Sequence, residues 1–147
     1  MLSIDTNILF HAFNADSPHQ AAAHRWLMSI AGKEDVALSE LILAEFYGLL
    51  RNPAALRNPL SAEEAVEVIQ TYRAHPRWRL IGFQVESRPL HDALWKHART
   101  KGFAFRRLYE VRTALTMLSQ GVTTFATVNV KDFEGLGFRK VWNPLTS

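Results

Sequence analysis

Apolar residues fall along this chain in two kinds of run: short blocks, and longer stretches where they recur every three or four positions. Met1–Asp5, Val36-Ala37-Leu38, Trp78–Phe83, Phe125–Val128 and Val141-Trp142 are the short blocks, and each reads as a strand. The stretches between them read as amphipathic helices. Their alternation predicts an α/β fold with a largely parallel sheet. Ser17-Pro18 offers a capping hydroxyl followed by proline at a first helical position, predicting a helix to about Ile30 that stops at Gly32. Glu40 to about Leu50 reads as a helix with Leu41, Ala44, Leu49 and their neighbours facing inward. Asn52–Pro59, with two prolines, reads as a loop. Ser61-Ala62-Glu63-Glu64 is a capping-box pattern, Ser61 capping and Glu64 reaching back, and its helix ends near Ala74 before Pro76. Arg88 to about Arg99 is a helix with Pro89 in its first turn and Gly102 beyond its end, and Arg107–Gln120 is another, closed by Gly121.

Length and composition narrow the class. The 147 residues suit one domain with one core, spanning residues 1–147. No apolar run reaches the roughly eighteen residues of a membrane span, and the first residues lack the basic n-region of a signal peptide. The absence of cysteine excludes disulfides and thiolate metal sites, and a cytoplasmic location is expected. Charge is divided unevenly. Residues 1–73 carry five Lys/Arg and nine Asp/Glu (−4), and residues 74–147 carry twelve and five (+7), together the net +3. A basic half is either a footprint for a polyanion such as RNA or a solvated surface.

The chemistry is concentrated in acids. Ile4-Asp5-Thr6-Asn7 puts a carboxylate where the first buried strand ends, an expensive position unless the acid is hydrogen-bonded or bound to a cation. Functional groups in parallel α/β sheets gather at the carboxyl ends of strands. Asn129 and Asp132 follow the Phe125–Val128 strand, Glu110 lies early in the helix before it, and Glu45 sits on a largely apolar helix. Two carboxylates about 4 Å apart repel by roughly 4 kcal/mol at an effective dielectric near 20, so several acids in one site call for a cation. Mg²⁺ and Mn²⁺ prefer such oxygen ligands and retain waters. The histidine pairs His19/His24 and His91/His97 lack the i, i+4 spacing of a zinc helix, and no Ser–His or Cys–His pair is evident. Each acid also has a plainer reading. Asp5 fits a helix or turn cap, Glu45 a surface position, Glu110 an exposed helix start and Asp132 a turn cap.

With these residues in view, the chain resembles the PIN-domain ribonucleases, and among them the VapC-type toxins of toxin–antitoxin pairs. The likeness rests on Ile4-Asp5-Thr6-Asn7-Ile8-Leu9, on Leu38-Ser39 through Leu43-Ala44-Glu45-Phe46, and on Arg107-Leu108-Tyr109-Glu110-Val111-Arg112. Thr127-Val128-Asn129-Val130-Lys131-Asp132-Phe133 and Val141-Trp142-Asn143-Pro144 complete it. It implies a three-layer α/β/α sandwich with a central, mostly parallel sheet. It implies Asp5, Glu45, Glu110 and Asp132 as catalytic, metal-binding acids for Mg²⁺ or Mn²⁺. Thr6 and Asn7 would orient Asp5, and Thr127 and Asn129 would support the same pocket. One position departs from the pattern: the third acid is usually aspartate, and Glu110 is longer by a methylene. A displacement of about 1 Å on that account can cost about a hundredfold in rate.

The expected reaction is hydrolysis of an RNA phosphodiester by metal-activated water. Arg106, Arg107, Arg112 and Lys131 are candidates for holding the backbone of a tRNA, rRNA or mRNA substrate. Trp78, Phe103 and Phe105 are candidates for base stacking, although aromatics in such positions are more often core. The resemblance also implies a homodimer and a VapB-type antitoxin laying a helix across an apolar groove, with no membrane partner. The alternative is a catalytically weak or inactive PIN scaffold that binds RNA or a protein. A phosphotransferase would want an aspartate where Asn7 stands. A receiver-like domain would want a lysine in a setting Lys131 does not have. Neither phosphate-loop nor dinucleotide glycine pattern is present.

Overall fold

A computed structural model describes residues 1–146. Five strands, β1 (Leu2–Ile4), β2 (Val36–Ser39), β3 (Arg79–Ile81), β4 (Thr124–Ala126) and β5 (Lys140–Trp142), form one sheet in the order β3-β2-β1-β4-β5. Every adjacent pair is parallel. The helices are α1 (Thr6–Phe13), α2 (Gln20–Ile30), α3 (Glu40–Leu50), α4 (Ala62–Arg73), α5 (Arg88–Ala98), α6 (Arg107–Ser119) and α7 (Val130–Phe133).

The alternation of side chains along each strand divides the core between the two faces of the sheet. Ile4, Val36 and Leu38 pack with Ile8 and Leu9 of α1, Leu27 of α2, and Ile42, Leu43 and Phe46 of α3. Ala37 and Phe125 face the other way, against Ala114 and Met117 of α6 and Phe133 of α7. Helices on both faces make the three-layer α/β/α sandwich, and they explain why Val36-Ala37-Leu38 of β2 reads as an unbroken apolar block. Burial of each large aliphatic side chain contributes about 1.5–3 kcal/mol.

Several expectations are refined. The chain enters α1 directly from β1, with Asp5 as the N-cap, so a helix stands where the sequence showed only apolar residues running into the core. The helix expected at Ser17-Pro18 begins at Gln20 with His19 at its N-cap, and the Ser17 hydroxyl accepts from the His19 N–H instead of capping the helix. Ala44 is exposed, because the inward face of α3 carries Ile42, Leu43, Phe46 and Leu50. The capping box forms as expected: Ser61 Oγ accepts from Glu64 N–H at 3.1 Å, and Glu64 accepts from Ser61 N–H at 2.9 Å. Among the described residues no helix is long and apolar enough to cross a membrane.

Candidate active site

The strand order puts β1 beside β4, and the chain leaves β1 into α1 on one face of the sheet and β4 toward α7 on the other, which opens a crevice at their carboxyl edge. Asp5 and Thr127 each follow a strand there. The Asp5 N–H donates to Ala126 O at 2.9 Å and the Thr127 N–H to Trp142 O at 3.0 Å, so both residues are pinned by the ladder.

Asp5 is 6% exposed, and both its carboxylate oxygens are engaged. Oδ1 accepts from the Thr6 N–H at 2.8 Å, the capping bond of α1. Oδ2 accepts from the Thr127 hydroxyl at 2.6 Å and from the Asn7 amide at 3.2 Å. Asp5 is therefore the helix cap of its plainer reading, and it lines a cleft at the same time. Burial nevertheless pushes its carboxyl up to about 6, against the lowering pull of the Thr127 and Thr6 bonds, and the charges of Glu45 and Glu110 add to the rise.

Glu45, exposed on α3, accepts from the Thr6 hydroxyl at 2.9 Å. Thr6 has one hydroxyl proton, and Ile42 O, the other acceptor in range, stands at 3.5 Å, so Glu45 is the better partner. Thr6 thus serves Asp5 through its backbone and Glu45 through its side chain. Glu110, half-buried in the first turn of α6, is also raised, by burial first and then by Asp132, with Arg107 opposing and Glu45 adding. Asp5, Glu45, Glu110, Asn7 and Asn129 line one cleft of about 210 Å³. Asn129 is held there through its N–H, which donates to Thr127 Oγ1 at 3.0 Å, and Val128 N–H donates to Asn7 Oδ1 at 3.3 Å. Asp132 lies one turn beyond on α7, outside the cleft lining but close enough for its charge to act on Glu110.

The basic candidates separate. Arg107 donates to Asp132 O at 2.5 Å and lies over the Phe103 ring. Arg106 and Lys131 are exposed. Arg112 lies over the Tyr109 ring and lines a separate small pocket with Phe83 and His91. Trp78 is a core residue, its indole N–H donating to Ile30 O at 3.1 Å, whereas Phe103 is half-buried and Phe105 is 81% exposed.

The sequence reading missed His11, Phe10 and Thr113, which also line the cleft. It missed a Ser–His pair as well: His11 Nδ1 lies 2.7 Å from Ser17 Oγ. Reading α1 as a helix would have exposed the signal, since Asn7, Phe10 and His11 then share a face.

The donors offered are oxygens throughout, a set suited to a hard divalent cation. Among the described residues no three His, Cys, Asp or Glu side chains are gathered closely enough to enclose an ion alone. An open cleft in which nearby acids help raise the Asp5 and Glu110 carboxyls fits a cation that keeps part of its hydration shell, as Mg²⁺ does, better than a closed cage.

The family profile described as PIN domain matches residues 2–99. Ribonuclease VapC24 of Mycobacterium tuberculosis is 48% identical over 147 residues, covering 100% of this chain and 99% of the relative. Two solved structures share the fold. VapC20 of Mycobacterium tuberculosis, described as a Sarcin-Ricin loop cleaving toxin, aligns with a TM-score of 0.65 at 19% identity over 94% of this chain and 96% of that one. VapBC2 of Rickettsia felis, bound to a DNA fragment from the promoter of the pair, aligns with a TM-score of 0.65 at 20% identity over 95% and 97%.

Proposed function

The chain belongs to the PIN-domain family, and on that footing we propose that it is a cytoplasmic, Mg²⁺- or Mn²⁺-dependent endoribonuclease, the toxin of a toxin–antitoxin pair. The observation that carries this reading is the Asp5 carboxylate. It is buried, fixed by three donors and pushed up to about 6 in a cleft it shares with Glu45 and Glu110. A purely structural cap has no need of two further acids facing it.

Asp5, Glu45 and Glu110 would hold the ion, with Asp132 completing the acidic set. When bound, such an ion supplies acidification of a water and stabilisation of charge building at phosphorus. The chain's own residues prepare the site. Thr127 and Asn7 hold Asp5 in one rotamer, Thr6 holds Glu45, and Asn129 is set on the Thr127 hydroxyl. This fixed geometry removes reorganisation from the reaction. Arg107 and Lys131, on the α6–α7 side, would hold the RNA backbone outside the acids. The Ser17–His11 pair does not offer a covalent route, because His11 lines the cleft and Ser17 does not. A homodimer and a VapB-type antitoxin are the proposed protein partners, a reading supported by the 48% identity to a VapC ribonuclease over the whole chain.

The test is cleavage of total tRNA and rRNA by the purified, antitoxin-free chain with Mg²⁺, Mn²⁺ or EDTA, beside Asp5→Asn. Discrete fragments that need metal and vanish in the variant are expected. A folded chain that binds the ion and cuts neither RNA would point instead to a non-catalytic PIN scaffold.

A further inference from the structure

The acidic cleft has a problem that its acids cannot solve. A phosphodiester entering it meets carboxylates, and among the described lining residues there is no Lys or Arg. Nitrogen donors on the lining come from Asn7, Asn129 and His11. Asn7 is spent: its amide nitrogen serves Asp5, and its oxygen accepts from Val128 N–H. His11 sits on the α1 wall, across from the α6–α7 wall that carries Arg107 and Lys131.

The His11 ring is held in place. Nδ1 lies 2.7 Å from Ser17 Oγ, and the ring packs edge-on against His19 at 5.1 Å between centroids. Ser17 Oγ accepts the His19 N–H at 3.1 Å, and the hydroxyl proton is free to be donated to Nδ1, while the opposite direction would need the proton on Nδ1. A hydroxyl donating to Nδ1 leaves the ring proton on Nε2. Among the described residues Nε2 has no hydrogen-bond partner of its own. Burial first, and His19 second, lower the His11 pKa, which favours the neutral ring.

Resting on the ribonuclease reading, we propose that His11 is an RNA-contacting residue whose Nε2–H donates to a phosphate oxygen of the strand in the cleft, with Ser17 as the positioning residue that fixes this tautomer. A neutral donor suits the place. It recognises a phosphate without competing for the cation the acids would hold. The contact adds a second wall to a binding surface otherwise built from α6 and α7.

The test keeps binding apart from cleavage. A fluorescein-labelled single-stranded RNA of mixed sequence is titrated by anisotropy, with Mg²⁺, against the chain carrying Asp5→Asn, alone and combined with His11→Ala, His11→Gln or Ser17→Ala. His11→Ala is expected to weaken binding about tenfold, and His11→Gln, which keeps an amide donor, by less than about threefold. Where the Asp5→Asn chain binds too weakly to titrate, the same comparison is read as KM for cleavage with Asp5 intact, His11→Ala raising KM more than it lowers kcat. Nitrogen-15 NMR of the histidine rings is expected to show His11 protonated on Nε2 and a loss of that preference in Ser17→Ala. Unchanged affinity and KM in His11→Ala, or a proton found on Nδ1, would overturn the proposal while cleavage by the unmodified chain left the ribonuclease reading standing. A chain that neither binds nor cuts RNA would remove both.

Discussion

The Thr127 hydroxyl donates to the Asp5 carboxylate at 2.6 Å, joining the ends of β4 and β1 across 122 positions of sequence. The same oxygen accepts the Asn129 N–H at 3.0 Å, so one side chain ties the buried acid to the loop that carries Asn129 into the cleft. Removing that hydroxyl leaves a buried charge short of a donor. Thr127→Val is expected to destabilise the chain by about 1–3 kcal/mol near pH 8. Because the bond holds the Asp5 pKa down, losing it raises that pKa further above 6. The loss should shrink near pH 4, where Asp5 is protonated. Urea denaturation at both pH values checks this, and an equal loss at both would assign the effect to packing.

Asp5 makes stability fall with rising pH. Its carboxyl titrates near 6 in the folded chain and near its ordinary 3.8 in the unfolded one. Between those values the folded state holds the extra proton, so stability present at low pH is lost as pH rises through this window. The full penalty is about 3 kcal/mol above pH 6 in the absence of a cation. Asp5→Asn is therefore expected to be the more stable protein near pH 8 and to lose that advantage near pH 4, while losing activity throughout. Thermal melts of both proteins across this range test it, and parallel curves would show that Asp5 titrates normally.

Thr6 is expected to matter through Glu45. Thr6→Val removes the 2.9 Å donor and frees a side chain that is exposed and, among the described residues, makes no other hydrogen bond. Activity should fall about ten- to a hundredfold, with Thr6→Ser retaining most of it. The backbone bond from Thr6 to Asp5 survives both changes, so the pH dependence set by Asp5 should not move. A shift in that profile would mean that the hydroxyl acts on Asp5 instead.

How far the sequence revealed this site depends on which period each segment obeys. The strands and α3 through α6 were legible because their apolar residues recur at the spacing their burial requires, and the Ser61 capping box names its own start. Asp5, Glu45 and Glu110 were legible because acids in apolar surroundings stand out. α1 was not, since it follows β1 without a loop and Asp5 does two tasks at once, ending one element and capping the next. With α1 unread, His11 had no reason to be near the acids. The same loss hid the Ser17–His11 pair, six residues apart and closed by a turn rather than by helical spacing. Arg112 was placed with the basic candidates by sequence proximity alone. Two positions past Glu110 on a helix is close to the opposite face, and the side chain lies over Tyr109 instead.

The acids themselves give the last test. Burial and the charges of neighbouring acids raise the Asp5 and Glu110 carboxyls, and a bound divalent cation offsets both costs in the folded state only. Mg²⁺ or Mn²⁺ should therefore raise Tm near pH 7.5, and at a hundredfold excess over Kd the gain is about 3 kcal/mol, several degrees for a chain of this size. EDTA should reverse it, and NaCl at matched ionic strength should not reproduce it. Protons compete for the same oxygens, so the gain should fade toward pH 5. Asp5→Asn and Glu110→Gln should each lose most of it, whereas Arg112→Ala, outside the cleft, should keep it. If both cations leave the Tm of the unmodified chain unmoved at millimolar concentration, the cleft does not hold a divalent ion and the proposed hydrolysis loses its source of activated water.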